Sequence, residues 1–205
     1  LKNIEIPLPP LSEQKKIVAE LDVELGKIKE AKRLREEALA DTDRLLPSTL
    51  HEIFEAGKAN GWEVAELESL AKSVADGTHD TPKYKTDGFP LVTSKNLRPD
   101  GLSFDTAKFI SEEDYKEINK RSSVSKGDIL IGMIGTIGNI TSVDTDKKFS
   151  IKNVGLIRPD NSKVLAGYLL YFLDNSRLFD LIKISGSTQK FMSLGILRKI
   201  KVKYP

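Results

Sequence analysis

The 205 residues are 39% hydrophobic and 30% charged, enough for one packed core plus an extended element and too apolar for a disordered chain. The absence of cysteine excludes a disulfide framework and a thiolate zinc site, and it suits a reducing cytoplasm. A net charge of +2 does not by itself announce a nucleic-acid binder; no apolar run of about 18 residues offers a membrane span, and Leu1 to Pro10 lack the pattern of a secretion signal, so the chain reads as soluble and cytoplasmic.

Residues 1–10 read as a strand or linker. From about Ser12 to Gly57 the chain is rich in Glu, Lys, Leu and Ala, which is helical composition, and a long helix is expected over 11–58. A seam of period seven runs through Leu11, Val18, Leu25, Lys32, Leu39, Leu46 and Ile53, with Leu21 and Ile28 beside it. Some 45 helical residues would extend roughly 65 Å, further than a compact domain of this size covers, so the helix is expected to protrude. Pro47 is expected to kink it near Asp43 or split it into two helices in line, and Gly26 to do so more weakly. An apolar seam needs a partner. An intramolecular hairpin would supply one, but the chain offers no second helix of comparable length, so pairing with another chain is the favoured expectation. Lys32, Arg35 and Thr42 interrupt the apolar rows and weaken a continuous dimeric coiled coil.

Ala59-Asn60-Gly61 is a turn signal, and from there short apolar runs alternate with Gly, Pro, Asn and Asp. A second domain is expected over 59–205, with mixed helices and strands, giving an α+β protein. Strands are predicted at Phe89–Thr93, Asp128–Ile131, Ile137–Val143 and Val154–Ile157. Helices are predicted at Ser111–Asn119, opened by Ser111 with Asp114 three residues on, and at Val164–Leu173, opened by Ser162. The run Gly132-Met133-Ile134-Gly135-Thr136-Ile137-Gly138 is not a phosphate loop, because no Lys-Ser/Thr pair follows and no helix opens there; it reads as a tight hairpin or bulge.

Charge is unevenly distributed. Residues 1–61 hold 10 basic against 12 acidic side chains and the remainder 22 against 18, so the two parts carry −2 and +4. After Asp180 there is no acid, while Lys183, Lys190, Arg198, Lys199, Lys201 and Lys203 follow. That run reads either as a phosphate-facing surface or as a solvated basic strand edge. The chain also ends as it begins: Leu1-Lys2-Asn3-Ile4-Glu5-Ile6-Pro7-Leu8-Pro9 resembles Leu197-Arg198-Lys199-Ile200-Lys201-Val202-Lys203-Tyr204-Pro205. If the match is not chance, the chain is one unit of a tandem or cyclic repeat, and the lack of an initiating Met fits a cut piece.

Several segments together resemble the specificity subunits of type I restriction-modification enzymes. Ile6-Pro7-Leu8-Pro9-Pro10-Leu11-Ser12-Glu13-Gln14-Lys15-Lys16-Ile17-Val18 is similar to the start of their spacer helix, Leu45-Leu46-Pro47-Ser48 through Ile53-Phe54 to its end, and Gly61-Trp62 to the opening of their target-recognition domain. Asp76-Gly77-Thr78-His79-Asp80-Thr81-Pro82, Gly88-Phe89-Pro90 with Thr93-Ser94-Lys95-Asn96, Lys126-Gly127-Asp128-Ile129-Leu130 and Gly186-Ser187-Thr188-Gln189 follow in the family's order. A full subunit has two recognition domains and two helices, so this chain resembles half of one, either a natural half that pairs with its own copy or part of a longer polypeptide. The resemblance implies double-stranded DNA as ligand and a bipartite site. It also implies modification subunits on the helices that bind S-adenosylmethionine and methylate adenine, and a translocase-nuclease restriction subunit. No cofactor is expected in this chain itself.

Reading DNA needs groups that reach base edges and cations that hold phosphates, and loops carry both. The first candidates are Thr78, His79, Lys83, Tyr84 and Lys85; the second are Ser94, Lys95, Asn96 and Arg98, where Asn suits adenine and Arg guanine unless they only cap a turn. Thr136 and Asn139 join from the glycine-rich hairpin, and Gln189 and Lys190 from the loop at 185–190. Catalysis has little to stand on. The two histidines, His51 and His79, form no metal-spaced cluster, and the methyltransferase glycine motif and Asn/Asp-Pro-Pro-aromatic motif are absent. A coiled-coil protein scaffold without DNA specificity is the competing expectation.

Overall fold

A computed structural model describes residues 7–59, 61–98, 100–175 and 191–205. The chain divides into two compact units, Leu1–Thr49 and Leu50–Pro205, and the division falls inside the helix α1 (Leu11–Ala59). In the first unit, side chains from Leu11 to Thr49 are exposed almost throughout. Val18, Leu21, Leu25, Ile28, Leu39 and Leu46, with Ile53 beyond them, are between 49% and 55% exposed. Ion pairs one turn apart stiffen the rod: Arg33 donates to Glu30 at 2.6 Å and 2.9 Å and also reaches Glu37, which holds the Glu30 carboxyl below its ordinary range. Contrary to the expectation of two helices in line, α1 runs through both Gly26 and Pro47. Proline deletes the one bond to the Asp43 carbonyl, which lies on an exposed turn, and next to it Ser48 Oγ donates to Leu45 O at 2.9 Å. Among the described residues the next longest helix has 11 residues, so no internal partner of comparable length covers the seam.

The second unit is built around a four-stranded antiparallel sheet. Its order is β2 (Ala71–Asp76), β10 (Val154–Pro159), β7 (Ile129–Gly132), β8 (Ile140–Ser142). The two central strands are covered on both faces, which is why they read as unbroken apolar runs rather than as alternation. Ile129, Ile131 and Ile157 face the larger core with Leu67, Leu70, Leu169 and Leu197; Leu130, Val154 and Leu156 face a smaller one with Val92, Phe149 and Ile151. Over the second face lies a three-stranded sheet in which β3 (Phe89–Val92) pairs antiparallel with β6 (Lys108–Ile110) and parallel with β9 (Ser150–Ile151). A small hairpin joins β4 (Leu97–Arg98) to β5 (Gly101–Leu102), and β1 (Glu63–Glu66) pairs with β11 (Lys201–Tyr204).

The last turns of α1 belong to this unit because their apolar side chains enter its core. Leu50 and Phe54 are buried, and the Phe54 ring meets Trp62, Tyr168 and Phe172 edge-on at 6.4, 5.6 and 5.1 Å between centroids. Tyr168 donates to Lys203 O at 2.6 Å, and burial raises its phenol to about 12. Among the described residues the unit also has three short helices, α2 (Glu112–Ser122), α3 (Ala166–Asp174) and α4 (Leu194–Arg198). Ser111 caps α2 as predicted, accepting from Asp114 N at 3.1 Å. Ser162 does not cap α3; its hydroxyl donates to Asp160 instead, and Asn161 Oδ1 accepts from Ala166 N at 3.1 Å. Thus the α+β class is observed, with the glycine-rich run as the β7–β8 hairpin, where Gly135 and Gly138 take φ of 80° and 88°.

Candidate nucleic-acid interface

Three segments far apart in sequence meet on one surface of the second unit. Tyr84, the 3₁₀ turn Ser94–Asn96, and Ile134, Gly135 and Thr136 at the tip of the β7–β8 hairpin line an open groove of about 460 Å³. Thr106, Lys108, Lys152 and Asn153 complete the wall. The turn and the hairpin are tied by Ser94 Oγ, which donates to Ile134 O at 2.8 Å, and by Asn139 Nδ2, which donates to Leu97 O at 3.0 Å. Lys85 stands beside the same wall, since its N–H donates to Phe109 O at 2.9 Å in register with β6. Among the described residues Lys83, Lys85, Lys95, Lys108 and Lys152 make no ion pair with an acid. The unneutralised ammonium groups of Lys95, Lys108 and Lys152, which line the concavity, suit a polyanion.

The loop after β2 is fixed by backbone bonds to the turn before β10. Thr78 N donates to Ile151 O at 3.1 Å and Asn153 N donates to Thr78 O at 3.1 Å. Gly77 passes so close that a Cβ there would lie 2.2 Å from Ile151 O, so only glycine fits the approach. His79 is then held on both sides: Nε2 donates to Asp76 Oδ2 at 2.9 Å, and Nδ1 lies 2.9 Å from Oδ1 of Asn153. Lys152 Nζ donates to Thr81 Oγ1. Among the described residues, no group of three or more His, Cys, Asp or Glu side chains could hold a metal ion, and no helix is long and apolar enough to cross a membrane.

Residues 59–205, more than half of the chain, match the type I restriction modification DNA specificity domain family. The chain belongs to that family. It is 28% identical, over its whole length, to a putative type I restriction enzyme specificity subunit of Haemophilus influenzae, covering 52% of that protein. It is 26% identical over 85% of its length to the type I restriction enzyme EcoBI specificity subunit of Escherichia coli, of which it covers 42%. In fold it is similar to a chain solved in work on complex assembly and conformational transition of the type I R-M system, with a TM-score of 0.74 at 23% identity over 98% of this chain and 49% of that one. The HsdS subunit of Thermoanaerobacter tengcongensis gives 0.62 at 23% identity over 98% and 48%. The chain therefore spans about half the length of the relatives it matches.

Within the specificity domain, the groove gathers the sequence candidates Tyr84, Ser94, Lys95, Asn96 and Thr136, with Lys85 beside it, and the bound loop carries Thr78 and His79. Lys83 is exposed in the same loop. The side chains are not equally available. Asn96 is 2% exposed and its Oδ1 accepts from Thr93 N at 2.9 Å, so it caps the turn and offers no amide to a base edge. Ser94 is buried and Asn139 is turned inward, which makes both of them supports for the groove rather than its reading face. Arg98 lies 3.4 Å from Asp105, which partly neutralises it. Gln189 and Lys190, like Lys183 and the echo residues Leu1 to Ile6, lie outside the described residues.

Of the four described residues of the basic run, Arg198, Lys201 and Lys203 face acids, and Lys199 is exposed. Lys201 donates to Glu66 at 2.8 Å, Arg198 donates to Val74 O and lies 3.5 Å from Glu68, and Lys203 is 3.9 Å from Glu55. The Lys201 ammonium holds the Glu66 carboxyl below its ordinary range. Groove-lining residues that sequence reasoning missed include Lys108, Lys152 and Asn153. None sits in a motif, and only Asn153 left a trace, as an Asn before an apolar strand in the left-handed conformation with φ of 54°.

Proposed function

We propose that this chain is the DNA-reading half of a type I restriction-modification specificity subunit, directing partner subunits to one half of a bipartite site and performing no chemistry of its own. The observation that carries the reading is the convergence of three loops on one lysine-rimmed groove within a domain of the DNA specificity family. Lysines around the rim, Lys95 among them, would sit on phosphates and hold the duplex, while exposed Tyr84 and Thr136 face base edges. None of the relatives favours a coiled-coil scaffold without DNA specificity.

In this reading the apolar seam of α1 packs against a second such helix, from another copy of the chain or from the other half of a longer subunit. The modification subunits, with S-adenosylmethionine on them, methylate adenine, and a restriction subunit joins for cleavage. Two identical heads related by a two-fold axis would read an interrupted palindrome, with the paired helices setting the gap. The test is selection of duplexes from a random pool by the chain, followed by a salt titration on the winner. Enrichment of one short sequence and steep loss of affinity with salt are expected. A pool that returns no preferred sequence at low salt, in the presence of the modification subunit as well, refutes the proposal.

A further inference from the structure

Asp76 is the buried acid of the surface described above, with only 3% of the residue exposed at the end of β2. Both of its oxygens are engaged: Oδ2 accepts from His79, and Oδ1 accepts from the Arg121 guanidinium in the last turn of α2. The two partners are not interior groups. The side chains of His79 and Arg121 are 56% and 61% exposed, so a carboxylate without access to water grips one end of each and leaves the rest facing solvent. A buried charge persists only when its partners fully satisfy it, so the grip is tight. Arg121 is bonded through one terminal nitrogen alone among the described residues, which leaves the remaining N–H groups of a planar fork unspent.

The place of Arg121 gives that fork a direction. With Thr78, His79, Asp80, Glu117 and Lys120 it lines a second concavity of about 380 Å³. Glu117 is paired with Lys120 there, which leaves Asp80 as the opposing charge. This concavity and the lysine-rimmed groove meet at Asn153, which lines the groove and holds the outer side of the His79 ring. We propose that Arg121 is a further DNA-contacting residue, placed on a backbone phosphate beside the groove, and that Asp76 is the residue that positions it. The proposal rests on the DNA-reading function above.

The test separates orientation from charge. Asp76→Asn makes the chain one unit more positive, so Coulomb attraction alone would tighten DNA binding; positioning demands that affinity for the selected duplex fall several-fold. Affinities of the chain and its variants for that fluorescent duplex are measured by anisotropy at several salt concentrations, with a thermal melt of each. Arg121→Ala is expected to weaken binding about 10-fold and flatten the dependence of log K on log salt by about 0.9, the share of one phosphate contact. Arg121→Lys should restore the slope but not the affinity. Asp76→Asn added to Arg121→Ala should cost nothing more. If Asp76→Asn does not fold, Arg121→Ala and Arg121→Lys decide, because Arg121 is exposed. A lowered melting temperature with unchanged slope and affinity in Arg121→Ala makes the pair a structural staple and overturns the inference, as does simple additivity in the double variant. Wild-type chain that binds no duplex, with the modification subunit present as well, overturns the DNA-reading function too, whereas wild-type binding that Arg121→Ala leaves untouched overturns this inference alone.

Discussion

Replacing Lys95, Lys108 and Lys152 together by glutamine removes three ammonium groups from the rim of one groove while keeping a polar, hydrogen-bonding side chain at each place. Among the described residues none of the three is ion-paired and none lies in the packed core, so the fold has little reason to respond. Each lysine seated on a phosphate adds about 0.9 to the slope of log K against log salt, so the triple variant should be flatter by about 2.7. Between about 50 and 200 mM salt that difference corresponds to roughly 40-fold of salt sensitivity lost. Fluorescence anisotropy on a selected duplex, read at four or five salt concentrations, gives the slope directly. The mechanism also requires the loss to be similar on unrelated duplexes, because phosphates carry no sequence. A slope that stays at the wild-type value, with affinity unchanged, would refute the assignment of this groove to DNA.

Other variants probe the scaffold and the rod. Asp128→Ala removes the buried carboxylate that accepts from Arg158 at 2.9 Å and 2.8 Å and from Ser125 N at 2.8 Å, and a loss of about 2 to 3 kcal/mol by chemical denaturation is expected. Phe54→Ala empties the ring cluster around the single tryptophan and should cost about 3 to 5 kcal/mol, with a change in Trp62 fluorescence before unfolding begins. Thr136→Ala should shift preference among selected duplexes, whereas Asn96→Ala should lower stability by about 1 kcal/mol through the lost cap and weaken all duplexes alike. Pairing with a second copy through the seam, as proposed, predicts a wild-type dimer in analytical ultracentrifugation that Leu25→Glu with Leu39→Glu converts to monomer without moving the melt of the domain from Leu50 onward, and a dimer that survives would remove the seam as the pairing surface.

What could be read in advance follows the range of the forces involved. β7 and β10 announce themselves as apolar runs because helical segments bury one face and the three-stranded sheet the other, and α2 announces itself by a serine cap and three acids in its first turn. The two-residue strands β4, β5 and β9 have no such signature; they exist because a partner strand happens to pass beside them. Ser162 and Asn161 compete for one helix start, and spacing alone does not show which side chain reaches Ala166 N. The same limit governs the site. The candidate loops at 78–85 and 94–98 and the glycine-rich hairpin do converge, and of the two roles open to Asn96, base reader or turn cap, its buried amide takes the second. Lys108, Lys152 and Arg121 gain meaning only from long-range contacts that no local pattern encodes. Charge counting failed at Lys201 and Arg198 for the converse reason: the acids that neutralise them lie more than a hundred residues earlier.

The pairing of β1 with β11 zips the first strand after the helix to the final strand of the domain in antiparallel register, Glu63 beside Tyr204 and Glu66 beside Lys201. The residues between these two strands, the candidate groove included, therefore hang from one clasp as a closed loop of chain. A loop closed in this way keeps its two ends side by side whatever lies between them, so changes of sequence between Glu66 and Lys201 need not disturb the pairing of β1 with β11.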